Sequence, residues 1–340
     1  MAPSEPGVGS LDAVRGPAAA PQALVVILNY NGIEDTLVCL DSLRAQTVQV
    51  AVMVIDNGSR NDDLGRISQE FPEVEVIALG ENRGWAGGNN VGIRLGLERG
   101  YAQICLLNND TVLRADAMAE LLAAAAVIGA PCLLHPVVFD FADTSHPHLF
   151  PYPLAATADA TARRLAEQHE VREIDWAYGA CLLVSAELAR RIGLLDERFF
   201  LQLEEQDYYR RARQAGMRSY CTLRARILHK ESVSFGGRIT PNKTYYQVRN
   251  SLLLAEKHER NLGGVLRSLR YLMWSLRHQA RARRSWAASR LGFLVWLVSF
   301  EPVARGVRHG VRDYFLRRFG PRAAPRRDIP APVTPPGTAP

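Results

Sequence analysis

Polar side chains follow four short apolar runs of the sequence, at the point where each run ends. The four polar groups are Asn29-Tyr30-Asn31-Gly32, Asp56-Asn57-Gly58-Ser59, Glu81-Asn82-Arg83-Gly84 and Asn108-Asn109-Asp110-Thr111. A carboxylate such as Asp110 at a strand end can hold a divalent cation that bridges two phosphates. Turns and helix starts favour the same residue types, so one such group alone is ordinary loop chemistry. Four groups at one edge of a sheet favour a binding site.

A second set of reactive side chains is the run Glu204-Glu205-Gln206-Asp207. The helix dipole favours acidic residues at a helix start, so the run is also typical of a well-charged first turn. Three carboxylates within four residues nevertheless have unequal environments, in which one can act as a general base. His229 follows another predicted strand, and its imidazole with the Asp110 carboxylate suits Mn²⁺ or Mg²⁺. A single histidine after a strand is more often an ordinary loop residue.

The four polar groups are positioned by repeated units of the chain. Each unit consists of a short apolar run and a longer amphipathic segment. The β-branched runs are 23–29, 50–55, 74–79 and 104–107. The segments with helical spacing are 33–46, 62–71, 89–99 and 115–128. Four such units predict an α/β fold with a doubly wound, mainly parallel sheet. Ligands bind such sheets in the crevice beyond the C-terminal strand ends, where the polar groups lie.

The second half of the chain is less regular. A strand is predicted over 176–184, a short apolar entry and a charged helix over 199–216, and a strand over 219–229. From 245 to 319 the pattern is helical and rich in arginine. The predicted units are a disordered tail at 1–22, a first half at 23–130, a second half at 131–244, a helical extension at 245–320 and a disordered Pro-rich tail at 321–340.

Composition narrows the class of protein. The chain of 340 residues has 41 basic and 35 acidic side chains and is 22% charged, which excludes a multi-span membrane protein. Residues 261–340 hold 15 arginines against Glu301, Asp313 and Asp328, a basic balance that is typical of a contact with phosphates on nucleic acid or anionic lipid. The five cysteines form no CxxC pair, and the N-terminus lacks the pattern of a signal peptide, so a cytoplasmic location is predicted.

Several common chemistries lack their motif. The glycine-rich segment 84–90 is neither a dinucleotide-binding GxGxxG nor a phosphate-binding GxxxxGK[ST] sequence. No Ser-His-Asp or Cys-His arrangement stands out. Nucleic-acid binding through the arginines lacks a known module or interleaved aromatic residues, so no nucleic-acid partner is predicted.

The ordered motifs resemble an inverting family 2 glycosyltransferase of the GT-A fold, in particular its bacterial rhamnosyltransferase-like branch. The segments that carry the resemblance are 26–32, 54–59, 81–92, 106–111, 176–180, 199–207, His229 and 245–250. They cover roughly residues 23 to 260. Several motifs in order at family spacing are a far stronger signal than any one of them.

The resemblance implies a site for a nucleotide-sugar donor, linked to dTDP or UDP. The Asp56 carboxylate would accept a hydrogen bond from the imide N–H of uracil or thymine. Arg83 would face the diphosphate, and Asn89 would close the site. The donor-binding residues implied in this way are Asn29, Asn31, Asp56, Asn57, Arg83, Gly84, Asn89, Asn108, Asn109 and Asp110.

The resemblance also implies the catalytic groups. Asp110 would ligate Mg²⁺ or Mn²⁺ with His229, while Asn108 stands where the family has the first Asp of its DxD motif. Glu205 would be the general base in place of the usual Asp, with Glu204 and Asp207 beside it. Attack by an acceptor hydroxyl opposite the leaving diphosphate would invert the anomeric carbon. The residues expected to border donor and acceptor are Trp176, Tyr178, Gly179, Tyr246 and Arg249.

The branch further implies the partners of the reaction. The donor would be dTDP-L-rhamnose, and the acceptor a saccharide or a polyprenyl-diphosphate-linked glycan of cell-surface polysaccharide synthesis. The apolar segment 291–300, flanked by arginines, is too short to span a bilayer but could lie in the interface on the inner face of the cell membrane, or could be a buried core helix. Homodimerisation through the same helices stays open. The alternative is a non-catalytic sugar-nucleotide-binding or scaffold protein, suggested by Asn108 and Glu205.

Overall fold

The computed structural model describes residues 23–61, 63–142, 144, 147–149, 170–176, 178–230 and 239–322. Ten strands form one sheet in this part of the chain. They are β1 Ala23–Asn29, β2 Ala51–Asp56, β3 Glu75–Ala78, β4 Gln103–Asn108, β5 Thr111–Leu113, β6 Cys132–Asp140, β7 Pro147–Leu149, β8 Val171–Ile174, β9 Cys181–Ser185 and β10 Arg218–His229. The predicted tail at 1–22 and nearly all of the tail at 321–340 lie outside the described residues.

The strand order places the predicted site residues at one edge of the sheet. The order is β3-β2-β1-β4-β9-β6-β10-β5, with β7 beside β6 and β8 beside β10. The first four of these strands are parallel, and Asn29 pairs with Asp56 while Leu28 pairs with Asn108. The carboxyl ends of β1, β2 and β4 therefore meet, as the α/β prediction requires. The second half is mixed, because β9 runs antiparallel to both β4 and β6.

Helices cover both faces of the sheet, which confirms the predicted α/β class. The helices are α1 Ile33–Arg44, α2 Asp63–Glu70, α3 Gly84–Glu98, α4 Ala117–Ile128, α5 Ala186–Ile192, α6 Glu204–Gln214, α7 Pro241–His258, α8 Leu262–Arg283, α9 Arg290–Val298 and α10 Pro302–Phe315. Alternate residues of β1 point to opposite faces: Val25 and Ile27 pack with α1, α2 and α4, and Leu24 and Val26 pack with α3, α5 and α6.

Two predicted boundaries are wrong. Helix α3 was expected from residue 89 but begins at Gly84. Its glycines lower the helix propensity of this segment, but they allow the helix to pack closely on β1. A Cβ at Gly88 would lie 2.3 Å from Leu28 Cδ1, and one at Gly92 would lie 2.3 Å from Val26 Cγ1, so only glycine lets α3 pack this closely on β1. Close packing outweighs the low helix propensity. The strand expected over 176–184 is limited to β9, and a loop precedes it.

The last four helices form a second apolar core on the sheet domain. Helix α7 packs lengthwise against α10, and Leu272, Leu276, Trp296 and Val307 lie in their shared cluster. Leu253 and Leu254 of α7 contact Phe199 of the loop before α6, so the extension reaches the candidate site. None of the described helices combines the length with the apolar character that a bilayer-spanning helix requires. The division of the chain into units at 130 and 244 stays a prediction.

Candidate active site

Asn29, at the end of β1, is the centre of a buried hydrogen-bond network. Its Nδ2 donates to Asp56 Oδ1 at 2.9 Å and to Asp63 Oδ2 at 3.0 Å, and its Oδ1 accepts from Thr36 Oγ1 at 2.8 Å. The side chain is fully buried. Because both ends of the amide are occupied, Asn29 holds β1, β2 and α2 in fixed relative positions.

Asp56, at the end of β2, is oriented by an adjacent turn. The backbone N–H of Ser59 donates to Asp56 Oδ2 at 3.0 Å, and the Ser59 hydroxyl donates to Oδ1. The same hydroxyl accepts from the backbone N–H of Asn31 at 2.8 Å, while Asn31 Oδ1 accepts from Arg60 N at 2.9 Å. Asp56 and Asn31 therefore border one turn. A carboxylate offers about four acceptor positions, so Asp56 can accept a further donor.

Asn57 joins this network to the start of α3. Its Oδ1 accepts from the Arg83 backbone N–H at 2.8 Å, and its Nδ2 donates to Gly84 O at 3.2 Å. The Arg83 side chain is exposed and lies 3.5 Å from Glu81. A surface pair of this kind holds a guanidinium weakly, so Arg83 is available to an anion in the crevice.

Asn108, at the end of β4, is held by a tryptophan. Trp85 Nε1 donates to Asn108 Oδ1 at 2.9 Å, which fixes the side chain that stands in place of the family's first Asp. Asn109 turns away toward α1, where its Nδ2 donates to Thr36 Oγ1 at 3.0 Å and to Gly32 O at 3.2 Å. Asn89 is buried in α3 and donates to Trp85 O at 2.9 Å. Both amide hydrogens of Asn109 are thus used, whereas Asn89 Oδ1 is buried and has no hydrogen-bond partner among the described residues.

Asp110 and His229 lie together, as the metal prediction requires. Asp110 Oδ1 is 3.1 Å from His229 Nε2, and both side chains are nearly buried. Antiparallel pairing of β5 with β10 places Thr111 opposite His229 and so creates this contact. The Tyr178 hydroxyl lies 3.2 Å from His229 Nδ1 and can donate to that nitrogen while Nε2–H donates to Asp110, so a cation that binds at Nε2 replaces this proton.

This pair can hold a divalent cation with help from a substrate. One carboxylate oxygen and one imidazole nitrogen at hydrogen-bond distance are donors that Mn²⁺ and Mg²⁺ accept. The described residues contain no cluster of three or more His, Cys, Asp or Glu that could bind a metal by itself. Phosphate oxygens of a bound nucleotide would have to complete the coordination, so the residues fit a cation that binds with the donor.

Glu204 and Glu205 begin α6 and carry shifted pKa values. Removal from water raises the pKa of Glu205 to about 7. Burial, and then repulsion by Glu205, raise the pKa of Glu204 well above its usual range. The Glu204 Oε2 atom is buried and has no hydrogen-bond partner among the described residues. Burial thus favours the neutral form of Glu204, while Glu205 exchanges a proton near pH 7, as a general base should.

Asp207 lies one helical turn further along but belongs to an ion network. Its Oδ1 is 2.6 Å from Lys257 Nζ and 2.9 Å from His258 Nε2, and its Oδ2 accepts from Arg211 Nε at 2.8 Å. Burial favours a raised pKa for Asp207, but the hydrogen bonds from His258 and Lys257 outweigh it and lower the pKa. The fully buried carboxylate joins α6 to the end of α7.

The residues expected to border donor and acceptor fall into two groups. Tyr178 contacts His229, and Gly179 lies against the indole of Trp85, where a Cβ would be 3.3 Å from Cζ2. Trp176 packs on His135 with the ring centres 5.6 Å apart. Tyr246 and Arg249 belong to the second group, because both are buried beneath the loop before α6.

Sequence reasoning assigned no individual role to the residues that hold the predicted ones. Ser59 and Asp63 contact Asn29, Trp85 contacts Asn108, and Asn250 contacts the loop before α6. Ser59 could have been found, because Asp followed three residues later by Ser is typical of a side-chain-capped turn. The partners of Trp85 and Asn250 are distant in sequence, and no local pattern indicates them.

The fold and the site define the class of protein. A sheet with helices on both faces and polar side chains at its strand ends agrees with the fold that the sequence motifs imply. Residues 24–189 match the family model described as Glycosyl transferase family 2, so this segment is a domain of that family. The predicted family 2 domain is confirmed for this segment.

Curated relatives agree with a sugar-transfer function. A low-salt glycan biosynthesis hexosyltransferase of Haloferax volcanii is 27% identical over 56% of this chain and 61% of its own length. A dTDP-rhamnosyl transferase of Shigella flexneri is 27% identical over 74% of this chain and 85% of its own length. An N-acetylglucosaminyl-diphospho-decaprenol L-rhamnosyltransferase of Mycobacterium tuberculosis is 26% identical over 62% of this chain and 76% of its own length.

Solved structures share the fold at low sequence identity. The Pyrobaculum calidifontis mannosyltransferase PcManGT, solved with GDP-Man and Mn²⁺, has a TM-score of 0.54 and 15% identity over 88% of this chain and 89% of that one. TarS of S. aureus has a TM-score of 0.53 and 13% identity over 87% of this chain and 54% of that one. These similarities support the GT-A fold.

Proposed function

We propose that the protein transfers L-rhamnose from dTDP-L-rhamnose to a glycan acceptor, with inversion of the anomeric carbon. The family 2 domain supports glycosyl transfer as the class of reaction. The Shigella and Mycobacterium relatives, both named for rhamnosyl transfer, support the choice of sugar. The Mycobacterium relative is named for an N-acetylglucosaminyl-diphospho-decaprenol, which supports an acceptor that is linked to a polyprenyl diphosphate.

The contrast between Glu204 and Glu205 carries the proposed mechanism. Glu205, with its pKa near 7, accepts the proton of the acceptor hydroxyl as that oxygen attacks the anomeric carbon. The bond from this carbon to the diphosphate oxygen breaks, and the nucleoside diphosphate leaves from the opposite face. The raised pKa of Glu204 favours its neutral form, which limits the negative charge beside the base. A single displacement of this kind inverts the configuration.

The strand side of the crevice is proposed to bind the nucleotide. Asp56 accepts from the imide N–H of thymine or uracil, and Asn29 and Asn57 hold Asp56 and Arg83 in place for it. The Arg83 guanidinium approaches the diphosphate, where it stabilises the charge that develops on the leaving group. Asn31 lies on the turn beside Asp56 and contacts the ribose.

Asp110 and His229 are proposed to hold Mn²⁺ or Mg²⁺ together with the donor. The bound cation would stabilise negative charge on the leaving diphosphate. Tyr178 keeps the His229 ring oriented through Nδ1. Asn108, held by Trp85, contributes a neutral amide next to this pair, so the protein part of the site carries one charge fewer than a pair of Asp residues would.

The helices after residue 260 are proposed to contact an anionic membrane surface. Residues 260–300 contain eight arginines and no acidic residue. Large apolar side chains of the same segment are exposed, among them Tyr271, Trp274, Leu291, Val298 and Phe300. Trp296 is buried in the shared core, so α9 has one packed face and one open face. Arginines around an open apolar face suit a membrane interface.

An open pocket lies beside this surface and away from the strand ends. It has a volume of about 660 Å³, and Arg283, Arg284, Trp286 and Glu301 are among the residues that line it. Guanidinium and indole groups together suit the phosphate and glycerol region of a lipid headgroup. The pocket therefore supports a lipid contact for this part of the chain.

A ligand panel tests the proposed function directly. Thermal unfolding is followed with dTDP, UDP, GDP and their sugar conjugates, with and without Mn²⁺. A ligand that binds only the folded state raises the melting temperature by mass action, so dTDP species with Mn²⁺ should give the largest shift. Transfer of rhamnose to a lipid-linked acceptor is then followed for the same donor.

Matched variants separate the outcomes of this panel. Asp110→Asn should remove the effect of Mn²⁺ on the dTDP shift, whereas Asp41→Asn, on the exposed side of α1, should leave it unchanged. A shift without any transfer would favour a non-catalytic sugar-nucleotide-binding protein. The absence of a shift with every nucleotide would contradict the proposed function.

Vesicle flotation tests the membrane contact. Binding to phosphatidylcholine vesicles should require added phosphatidylglycerol and should fall at high salt. Leu291→Ser with Val298→Ser should weaken binding, whereas Val38→Ser, an exposed apolar residue on α1, should not. If the double variant instead changes a dimer into a monomer and vesicle binding is absent, the surface is a contact between two copies of the chain.

A further inference from the structure

The loop that leads into α6 has an unusual backbone. Residues 198–203, named the base loop here because Glu204 and Glu205 follow it, contain three non-glycine residues with positive φ. They are Phe200 at 63°, Gln202 at 69° and Leu203 at 72°. Each residue of this kind costs on the order of 1 kcal/mol or more, so the conformation persists only if surrounding contacts enforce it.

Two neighbouring side chains of α7 supply most of these contacts. Arg249 Nη2 donates to Arg198 O at 3.0 Å and to Phe199 O at 2.8 Å. Asn250 Nδ2 lies 2.9 Å from Phe199 O and 2.7 Å from the carbonyl oxygens of both Leu201 and Gln202. Together they bind four of the five carbonyl groups from 198 to 202.

The remaining carbonyl connects the base loop to the donor side. Phe200 O accepts from the Trp85 backbone N–H at 2.7 Å, and the same tryptophan holds Asn108 through its indole. Gly84 makes this contact feasible, because a Cβ there would lie 2.2 Å from Phe200 O. The base loop therefore sits between the strand ends and α7, with a hydrogen bond to every carbonyl.

Arg249 is suited to this task by its surroundings. It is fully buried and makes no ion pair with any described carboxylate, so its charge is stabilised by carbonyl dipoles and by the rings of Tyr245 and Tyr246, 5.4 and 5.0 Å away. Its Nε donates to Asn250 Oδ1 at 3.0 Å, which directs the Asn250 amide hydrogens toward the loop. Only a planar guanidinium can make these contacts at once.

We propose that Arg249 and Asn250 are positioning residues of the sugar-transfer reaction. They hold the base loop in its left-handed conformation and thereby place the Glu205 carboxylate against the donor site. This role rests on the proposed function, because it concerns the base of that reaction. It assigns to α7 a part in catalysis without contact with the substrate.

The test compares two amide-to-carboxylate changes on the same helix. Asn250→Asp keeps the shape of the side chain but removes both amide hydrogens and places a negative charge against three carbonyl oxygens. Gln247→Glu is the matched control, because Gln247 contacts Ser275 and Gln279 and not the base loop. With dTDP-L-rhamnose as donor, Asn250→Asp should lower kcat about 100-fold. The donor KM should stay within about threefold, because nucleotide contacts are unchanged.

Hydrogen exchange measures the base loop itself. In the parent protein the amides of Phe199, Phe200 and Leu201 should exchange slowly, since each is bonded to a nearby carbonyl in a loop that cannot open freely. Asn250→Asp should accelerate exchange there and leave the central strands protected. Arg249→Lys keeps the positive charge but loses the planar guanidinium, so it should also accelerate exchange of the base loop. This variant replaces Asn250→Asp in the test if Asn250→Asp does not fold.

The outcomes distinguish the two proposals. Rapid exchange of the base loop in the parent, or equal kcat values for Asn250→Asp and Gln247→Glu, would overturn the positioning role. Accelerated exchange with unchanged kcat would also overturn it, because the loop would then not control the base. A parent that exchanges slowly but transfers no sugar would contradict the proposed function and with it the catalytic consequence, while the loop measurement would stand.

Discussion

Asn29 and Asp56 on the strand side of the crevice share their hydrogen bonds with three neighbouring elements, whereas Glu204 on the helix side has a buried oxygen with no partner among the described residues. The first arrangement satisfies polar groups in the absence of substrate. The second places the buried Glu204 beside the partly exposed Glu205, and the pKa values of both carboxyl groups are raised. The polar groups on the strand side are therefore already hydrogen-bonded, whereas the two carboxyl groups on the helix side lie in electrostatically unfavourable positions.

The difference follows from what each side has to do in the proposed reaction. A nucleotide pocket must present acceptors and donors in fixed positions, and a hydrogen-bonded network achieves this without net strain. A general base must hold a proton only weakly at neutral pH, and this requires a carboxylate that is poorly solvated. The stability lost at Glu204 and Glu205 is therefore a consequence of function, as is common for catalytic groups.

The largest expected effect is on the base itself. Glu205→Gln keeps the size of the side chain but cannot accept the hydroxyl proton, so we expect transfer to fall about 1,000-fold. Donor binding, followed by thermal shift with dTDP, should be unchanged. Glu187→Gln, on the exposed side of α5, is the matched control. A Glu205→Gln protein that retains more than about a tenth of parental activity would remove Glu205 from the role of base.

A smaller effect is expected on the strand side. Asp56→Asn replaces an acceptor of the imide N–H by an amide and directs an NH₂ group toward the donors of Asn29 or Ser59. We expect dTDP to bind about tenfold more weakly, as the loss of one hydrogen bond to a charged group suggests. Calorimetric titration of dTDP measures this change, with Asp41→Asn for comparison. Equal dTDP affinities of the parent protein and Asp56→Asn would show that other residues recognise the thymine.

The pH dependence of the rate sharpens the comparison further. Because burial raises the pKa of Glu205 to about 7, a growing fraction of the base is protonated as the pH falls below that value. We expect kcat to decrease about tenfold per pH unit below pH 6 and to level off above pH 8. The affinity for dTDP should not follow this curve between pH 6 and 8. A rate that is independent of pH over this range would contradict a carboxylate base with a raised pKa.

The smallest expected effect is a gain in stability. A carboxyl group whose folded pKa is raised stabilises the fold below its unfolded pKa and loses that contribution as the pH rises through the folded value. Glu204→Gln removes this loss, so the melting temperature at pH 8 should rise by about 2–4 °C. The gain should shrink at pH 5, where Glu204 is protonated in both states more often. Asp207→Asn should do the opposite at both pH values, because Asp207 is paired with Lys257, His258 and Arg211.

Much of the strand side could be predicted from local patterns. The short β-branched runs and the polar residues that end them are readable without tertiary information, because strand and turn preferences act over a few residues. Parallel pairing then brings Asn29, Asp56 and Asn108 to one edge. The helix start at Gly84 was not predictable in this way, because the glycines of α3 are set by close packing on β1.

The helix side could be predicted only in part. The run from Glu204 to Asp207 indicates a charged first turn with a base in it, but it does not distinguish the three carboxylates. Asp207 differs from its neighbours because α7 brings Lys257 and His258 to it across about 50 residues of chain. Arg249 was expected to border donor and acceptor, and its donors instead reach the carbonyl groups of 198, 199 and 320.

The sequence by itself determined the family, the α/β class and which residue types stand at the strand ends. These features depend on local propensity and on motifs whose spacing is visible in the chain. Only the tertiary structure decided that burial favours the neutral form of Glu204, that Glu205 has a pKa of about 7 and that Asp207 belongs to an ion network, since burial and distant partners control pKa values. It also decided the left-handed base loop, because that backbone is unfavourable alone and exists only where Arg249, Asn250 and Trp85 hold it.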